Sequence, residues 1–509
     1  MNSLTIVFTF ALLAAMSVVN AVPLPLHQLK SRSPQNEMHT SDVVKRDGES
    51  KIVACHFMMG NAYPFGVSDF VREIKLASAS GIDAFALNIG TDYWQPDHVK
   101  AAYDAAQQSG TDFKMFISFD MSVFPCSSSD NAAALRKYIT DFSNHPSQLK
   151  YNGKVFASTF AGESCTFGAG NSPDGWKTQF TQHPDLQGDN AVHFVPSFFI
   201  DPSTQFSQYN GVIDGMFNFN SGWPLDLTED KVNQILGSSG IQLNSAAGDD
   251  SVLVNQLLKD LVGSTGTDDA YIDGLKSVSS SATYMGAVSP WFFTHYGADS
   301  FNKNFVYYSD SHLYVTRWNN IIQQRDKFDL VEIATWNDYG ESHYIGPIDG
   351  AQPNSQAWVD GFDHQGWLDM TKYYATAYKT GAYPEITEDK IYMWARPHTK
   401  HANAPDPVGR PTNAGVFEDT LWIMTFTTAP STVTITTSTD GSNPQVFNVQ
   451  QGATKLLVPL TVGSIMHGTI TRDGKTIVDL QPKDFTFNGN PQAYNYNAFV
   501  AFAGSNGET

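Results

Sequence analysis

Positive charge is scarce in this sequence of 509 residues. It carries 31 Lys and Arg against 51 Asp and Glu, which gives a formal net charge of -20 at pH 7. Nucleic acids and anionic membrane surfaces are bound through clusters of basic side chains. The sequence contains no such cluster, so we expect neither nucleic acid nor membrane as a partner and favour an uncharged ligand.

Charged residues of both signs are also few. They make up 16% of the chain, whereas 41% of the residues are hydrophobic and 13% are aromatic. Disordered chains have the opposite balance, with low hydrophobicity and high net charge. The composition therefore excludes a disordered chain, and the length predicts two or three domains of about 100–250 residues each.

Long hydrophobic runs are absent after the amino terminus. The run over residues 6–19 is too short to span a bilayer comfortably, and the small residues that follow it are typical of a signal-peptide cleavage site. The dibasic pair Lys45-Arg46 is typical of propeptide processing. We predict a signal peptide over 1–21, a propeptide over 22–46, and a secreted protein of the extracellular space or cell wall.

Cysteine is rare, with only Cys55, Cys126 and Cys165 in the chain. An odd number in a secreted protein permits one internal bridge and leaves one thiol over. Cys55 lies inside an apolar run, so we predict a disulfide between Cys126 and Cys165. Three scattered cysteines and isolated histidines lack the ligand spacing of a zinc site, and we expect no metal and no other cofactor.

From residue 51 the sequence alternates apolar runs with helical patterns, which is typical of strand–helix units in a parallel sheet. We predict eight strands, over 51–57, 82–88, 113–119, 155–160, 191–198, 212–219, 283–288 and 330–335. Eight strands in this order predict an α/β fold, a closed (β/α)8 TIM barrel over residues 47–384.

The sequence changes character after Pro384. Residues 385–509 contain short alternating segments, such as 420–427 and 432–437, separated by Gly, Pro, Asn and Asp. This spacing predicts a separate C-terminal β-sandwich domain. The stretch over 237–281, rich in Ser, Gly, Asp and Leu, is predicted to be an insertion between the sixth and seventh strands.

Barrel enzymes place their chemistry at the carboxyl ends of the strands, so the residues that follow each predicted strand are candidates for the site. The candidates are His56, Asn88, Asp92, Tyr93, Trp94, Asp120, Glu163, Asp201, Asn218, Asn220, Trp223, Trp291, Trp336, Asn337, Asp338, Tyr339 and Glu341. Each has a structural explanation when taken alone, such as a core histidine or a helix cap. Together they predict one functional rim.

Asp338 and Glu341 are the sharpest candidates for catalysis. They are three residues apart, so a helical turn would place them on one side, and Gly340 would allow a tight bend. Hydrolysis of a glycosidic bond requires two carboxylates, one to give a proton to the leaving oxygen and one to activate water or attack carbon. The structural alternative makes Asp338 a helix N-cap and Glu341 its capping partner.

The Trp and Tyr residues near the strand ends favour sugar as the ligand. Aromatic faces stack on pyranose rings, and Asn, Asp and His can satisfy the hydroxyl groups. The sequence has no Gly-x-Ser-x-Gly elbow, no phosphate loop, no dinucleotide fingerprint and no His-Glu-x-x-His helix. We therefore predict that the remaining rim residues, apart from Asp201 and Asn220, bind the substrate.

Four segments of the chain occur in the order of a known family. They are residues 55–61 (CHFMMGN), 81–88 (GIDAFALN), 116–120 (FISFD) and 336–342 (WNDYGES). Together they resemble the fungal α-1,3-glucanases, the mutanases of glycoside hydrolase family 71. The resemblance implies a (β/α)8 barrel with a β-sandwich, and endo-hydrolysis of cell-wall α-1,3-glucan with inversion of configuration.

The acidic motif of that family maps onto Asp338 and Glu341. We expect Glu341 to be the proton donor and Asp338 the base that orients water. The reverse assignment stays open, as does a partner from another strand end, Asp120 or Glu163. Another polysaccharide hydrolase or transglycosidase and a non-catalytic polysaccharide-binding wall protein remain alternatives. We expect a monomer.

Overall fold

The structure is a computed structural model that describes residues 51–231 and 261–507. The predicted signal peptide and propeptide lie outside the described residues, and so does the part of the predicted insertion up to residue 260. Within the described ranges, no helix has both the length and the apolar character needed to cross a bilayer.

The described chain alternates strands and helices at first and then continues as strands. The strands are β1 (Ile52–Met58), β2 (Ala84–Ile89), β3 (Lys114–Asp120), β4 (Lys150–Tyr151), β5 (Lys154–Phe160), β6 (Val192–Phe194), β7 (Gly215–Asn218), β8 (Thr283–Val288), β9 (Phe293–His295), β10 (Asn304–Val306), β11 (Leu330–Ile333), β12 (Lys390–Ala395), β13 (Thr420–Thr427), β14 (Ser431–Thr436), β15 (Gln445–Val449), β16 (Gly452–Pro459), β17 (His467–Arg472), β18 (Lys475–Leu480) and β19 (Phe499–Gly504). The helices are α1 (Val67–Ala79), α2 (Gln95–Gln108), α3 (Ser129–Phe142), α4 (Ser172–Trp176), α5 (Gly266–Leu275), α6 (Leu313–Gln323), α7 (Gln356–Val359) and α8 (Gln365–Thr380).

Eight parallel strands form one large sheet in the order β6-β5-β3-β2-β1-β11-β8-β7, and the short β4 pairs antiparallel with β5. These eight correspond to the eight predicted strands. Two backbone hydrogen bonds join the segments at the opposite ends of this order, from Asp214 N–H to Phe194 O (2.9 Å) and from Phe217 N–H to Pro196 O (2.8 Å). The result is a mixed α/β fold with a curled sheet.

Four of the eight strands are shorter than predicted, and the largest differences are in the fifth and sixth. The fifth ends at Phe194 rather than Phe198, and Pro196, which lacks an N–H donor, lies two residues beyond its end. The sixth begins at Gly215 rather than Val212. The fifth and sixth strands lie at the ends of the sheet order, where regular pairing stops.

Both faces of the curled sheet are buried. Ala54, Ala86 and Phe116 belong to the apolar cluster of one face, whereas Phe85 and Leu87 belong to the larger cluster that includes the helices. Strands covered on both sides are continuous apolar runs rather than alternating ones. This explains why the sequence pattern predicted them.

Helix α1 illustrates how local sequence sets the element bounds. Asp69, in its first turn, accepts a hydrogen bond from the Gly66 N–H (2.8 Å), and Phe70 and Ile74 are buried. Gly81 follows the helix with a φ of 85°, a left-handed conformation that suits glycine. The chain can therefore turn back into β2.

Two four-stranded antiparallel sheets follow α8, in the orders β16-β13-β12-β19 and β15-β14-β17-β18. Ile391 of the first and Ile435 of the second share one apolar core. The other face of the first sheet packs on α8, where the rings of Tyr373 and Phe426 lie 4.7 Å apart. Every residue of β13 is therefore buried.

One disulfide and one buried ion pair hold loops in place. Cys126 and Cys165 form the predicted disulfide, and Cys55 is buried and free. The Arg396 guanidinium pairs with Asp310 in the interior that joins the C-terminal sheets to the rest of the chain.

Candidate active site

A cleft of about 1150 Å³ opens where strands β1, β2, β3 and β11 end. His56, Asn88 and Asp120 line it near the ends of the first three strands, and Asp338 lines it from the turn after β11. The volume exceeds the roughly 300–1,000 Å³ typical of small-molecule sites. The cleft therefore suits a ligand longer than a single sugar.

The two catalytic candidates lie on the turn that follows β11. Residues Tyr339–Glu341 form a single 3₁₀ turn, which ends at Ser342 with a φ of 62°. The Asp338 N–H donates to Thr335 Oγ1 (3.0 Å), and the Asp338 side chain caps no backbone group. The capping alternative is therefore not formed, and both carboxylates face the cleft.

Gly340 allows this turn to pack closely against two buried rings. Trp358 Nε1 donates to Gly340 O (3.2 Å), and a Cβ on Gly340 would lie 2.0 Å from the Tyr296 hydroxyl oxygen. Gly340 is not among the residues with positive φ. The sequence analysis explained Gly340 by a tight bend. In the structure, glycine is needed because the backbone lies so close to Tyr296 that a Cβ would not fit.

Lys303 and His343 give the two carboxylates different environments. Lys303, between β9 and β10, places its Nζ 2.9 Å from Glu341 Oε1. His343 Nε2 lies 3.1 Å from Glu341 Oε2 and 3.7 Å from Asp338 Oδ2. Glu341 therefore has a cation against one oxygen and an imidazole against the other.

These contacts separate the pKa values of the pair. Burial, followed by the charge of Glu341, raises the pKa of Asp338 to about 6. Burial acts in the same direction on Glu341, but Lys303 and His343 outweigh it and hold the pKa of that carboxyl well below its usual range. Between these values Asp338 carries a proton while Glu341 is ionised.

Asp120 and His56 complete the polar floor of the cleft. Burial raises the pKa of Asp120, although Ser122 donates both a hydroxyl and a backbone hydrogen bond to it. His56 Nδ1 lies 2.7 Å from Glu332 Oε1, on the neighbouring strand β11.

The structure brings seven of the predicted site residues together in this cleft. They are His56, Asn88, Asp92, Trp94, Asp120, Asp338 and Glu341. They lie at or after the ends of β1, β2, β3 and β11, which are neighbours in the curled sheet.

Three predicted tryptophans are corrected, because their rings are buried and line no part of the cleft. Trp223 Nε1 donates to Trp291 O (3.0 Å), and Trp291 Nε1 donates to Tyr496 O (2.9 Å). Trp336 Nε1 donates to Glu73 Oε2 (2.9 Å). Their polar atoms and faces are used in the core, so they cannot stack on a sugar.

The polar predictions Glu163, Asn218 and Asn337 also lie outside the cleft lining. Glu163 Oε2 accepts from the Phe199 N–H (3.4 Å), and Asn218 is buried. Asn337 Oδ1 accepts from the Met58 N–H (2.8 Å). Asn337 therefore ties β1 to the turn after β11 instead of binding ligand.

The two remaining predictions are tyrosines. Tyr339 is buried and donates to Pro347 O (2.9 Å), so it supports the loop that follows the turn. Tyr93 is 91% exposed but lies outside the cleft lining, beside Trp94, which does line it.

The sequence analysis missed three groups of the site. Lys303 and His343 contact Glu341, and Glu332 contacts His56. His343 could have been found, because it lies two residues beyond Glu341 in the same motif. Glu332 is an acid within a fully buried strand, which is itself an unusual pattern. Lys303 carries no local signal.

One set of donor atoms has the spacing of a cation site. Single atoms of Asp338, Glu341 and His343 lie within 4.8 Å of one another. Lys303 already supplies a positive charge at Glu341, where a metal ion would compete with it. We assign no metal to this set.

A cleft at the strand ends that is lined by two carboxyl groups, one of them paired with a lysine, fits a glycoside hydrolase. Residues 49–509 match glycosyl hydrolase family 71, and the chain belongs to this family. The resemblance drawn from the four sequence segments is thereby confirmed.

Named relatives align over most of the chain. The glucan endo-1,3-alpha-glucosidase agn1 of Schizosaccharomyces pombe is 34% identical, over 90% of this chain and 96% of that protein. The mutanase Pc12g07500 of Penicillium rubens is 30% identical, over 89% and 88%. The ascus wall endo-1,3-alpha-glucanase of Schizosaccharomyces pombe is also 30% identical, over 88% and 96%.

Proposed function

We propose that this protein hydrolyses internal α-1,3-glucosidic linkages of α-1,3-glucan, and that Asp338 and Glu341 act on the bond. The observation that carries the proposal is the pair of carboxyl groups in a cleft of about 1150 Å³, with Lys303 Nζ 2.9 Å from Glu341 Oε1. Family membership and the names of the relatives supply the linkage.

The charge environment supports Asp338 as the proton donor and Glu341 as the ionised partner. This reverses the expectation drawn from the sequence. A donor must hold its proton at the working pH, and burial together with the charge of Glu341 raises the pKa of Asp338 to about 6. Lys303 keeps the second carboxylate charged.

The stereochemical outcome depends on a third carboxylate. Donor atoms of Asp338 and Glu341 approach within 4.8 Å. Inverting enzymes separate their carboxyl groups by about 6.5–9.5 Å so that water fits between them. We therefore propose that Asp120, which lines the same cleft, activates the water in an inverting reaction. Direct attack of Glu341 on the anomeric carbon would instead give retention.

NMR of the first products tests this point. Hydrolysis with inversion releases the β-anomer from an α-linked chain, and D120N would then remove most of the activity. Release of the α-anomer with an active D120N would exclude Asp120 from the mechanism.

We also propose that the cleft residues His56, Asn88, Asp92 and Trp94 bind the glucan. Trp94 offers an aromatic ring in the cleft lining, and the others offer polar atoms for hydroxyl groups. Asp120 also lines the cleft and is proposed above to act on water. The other residues predicted to bind substrate are not part of this proposal, because they do not line the cleft.

The architecture proposed around this site is a closed (β/α)8 barrel over 47–384 with a β-sandwich over 385–509. Support comes from the two hydrogen bonds between the β6 and β7 segments and from the core shared by the two C-terminal sheets. The predicted leader over 1–46 and the wall-associated relative support a secreted protein that acts on cell walls, and we propose that it is a monomer. Amino-terminal sequencing of the secreted protein tests the processing at Arg46.

The experiment for the function is release of reducing sugar from insoluble α-1,3-glucan, with β-glucan and chitin as competing substrates. D338N and E341Q are each expected to lower the rate by about 10²–10⁴-fold. D326N, at a side chain that is 80% exposed, is the matched control. Wild-type rates in D338N and E341Q would refute the assignment, and binding without release would indicate a wall-binding protein.

A further inference from the structure

An acid that the proposed reaction does not use lies beneath the floor of the cleft. Glu332, in β11, pairs in register with Ala54 of β1 and Ala287 of β8, and only 1% of the residue is exposed. Both alanines belong to the apolar cluster on that face of the curled sheet. A carboxyl group in such surroundings is unfavourable unless another group pairs with it.

His56 is that partner. Its Nδ1 lies 2.7 Å from Glu332 Oε1, and both side chains are buried. Glu332 Oε2 has no hydrogen-bond partner among the described residues. Burial raises the pKa of Glu332, and the hydrogen bond with His56 opposes that rise. Among the described residues, the Glu332 carboxyl group therefore makes one hydrogen bond, with the His56 imidazole.

This contact determines what His56 offers to the cleft. His56 lines the cleft, and its ring packs edge-on against Phe219 with centroids 5.5 Å apart. Since Nδ1 is engaged below, Nε2 is the ring nitrogen left for a ligand. The charged side chains that line the same cleft are Asp92, Asp120, Asp299, Lys303, Asp338 and Glu341.

We propose that Glu332 is a positioning residue that holds the His56 ring with Nε2 toward a hydroxyl group of the bound glucan. This inference rests on the proposed function, because it concerns the same cleft. A sugar hydroxyl both donates and accepts hydrogen bonds, so a fixed imidazole nitrogen can recognise it in either tautomer.

The test compares kcat and KM of H56A, E332L, E332Q and H56A/E332L on a soluble α-1,3-linked oligosaccharide. We expect E332L and H56A each to lower kcat/KM by about tenfold, the order of one lost hydrogen bond, with the same split between kcat and KM. E332Q keeps an oxygen that accepts from Nδ1, so it should stay within about threefold of the wild type.

The double variant separates positioning from a merely structural role. If Glu332 acts through His56, then H56A/E332L is no slower than H56A. Losses that multiply to about 100-fold, or an E332L enzyme with wild-type kcat/KM, would overturn the inference.

Folding is checked by the melting temperature of each variant. E418Q is the matched control, because Glu418 is buried at 4% exposure and lies outside the cleft lining. E418Q should keep wild-type kcat/KM. A wild type without activity on α-1,3-linked chains would overturn the proposed function and this inference together, whereas an active wild type with an unchanged E332L would overturn the inference alone.

Discussion

The contact between Gly340 and Tyr296 offers a direct test of how the turn bearing Asp338 and Glu341 is held. In G340A the added methyl carbon would lie 2.0 Å from the Tyr296 hydroxyl oxygen and 2.9 Å from its ring carbon Cζ. Favourable contacts between carbon atoms begin at about 3.5 Å. Because Gly340 does not have a positive φ, alanine adds steric conflict but no left-handed strain.

Tyr296 cannot relieve this conflict by swinging away. It is 8% exposed, its ring lies 4.7 Å from Phe301 and 4.9 Å from Trp358, and its hydroxyl donates to Pro353 O (3.2 Å). Overpacking of this kind lowers the free energy of unfolding by about 1–3 kcal/mol. If the turn moves instead by about 1 Å, the activity falls by about 10²-fold, because the carboxylates leave their working geometry.

The assay pairs sugar release from α-1,3-glucan with urea unfolding of the same variants. Y296F in the G340A background removes the nearest atom and should restore part of the activity. G170A is the control, because a Cβ on Gly170 meets no atom of the described residues within 4 Å. Wild-type activity and stability in G340A would refute the reasoning that close packing holds this turn.

Three further predictions concern protons and the disulfide. The rate should fall as pH rises through about 6, because Asp338 then loses the proton it donates; a rate that keeps rising above pH 7 would exclude Asp338 as the donor. In K303M the pKa of Glu341 should rise, so the acid limb of the pH–rate profile should move to higher pH, while K303R should stay close to the wild type; an unmoved limb in K303M would exclude the ion pair as its cause. Loss of the Cys126–Cys165 bridge, which spans 39 residues, should lower the free energy of unfolding by about 4 kcal/mol in urea titrations of C126S, and an unchanged midpoint would contradict this.

Much of the fold was predictable because buried strands carry a strong signal. The parallel strands are apolar on both faces, and the predicted strand over Thr420–Thr427 has the observed bounds of β13. Strands β9 and β10 were missed because each has three residues, too few to show a period. Their connection carries Lys303, so the missed hairpin also removed a charged group from the predicted site.

A site residue was predictable only where its position after a strand end also makes its side chain point into the cleft. Asp338 follows a strand end and faces the cleft, and so does Asp120 at the end of β3. Trp336 also follows β11, yet its ring points away and its Nε1 reaches Glu73 of α1. Proximity in sequence to a strand end therefore locates a residue near the cleft without deciding which way its side chain points.

The burial of β13 on both sides has a practical consequence for anyone who trims this enzyme. A fragment that stops at residue 384 would leave Tyr373 and Trp367 facing water, since Phe426 and Trp394 now cover them at ring distances of 4.7 Å and 6.1 Å. Such a fragment should precipitate or bind detergents, although it would retain both acids of the turn. The carboxyl-terminal strands thus shield the apolar face of α8 from water. A shortened enzyme would need new polar residues on α8 to stay in solution.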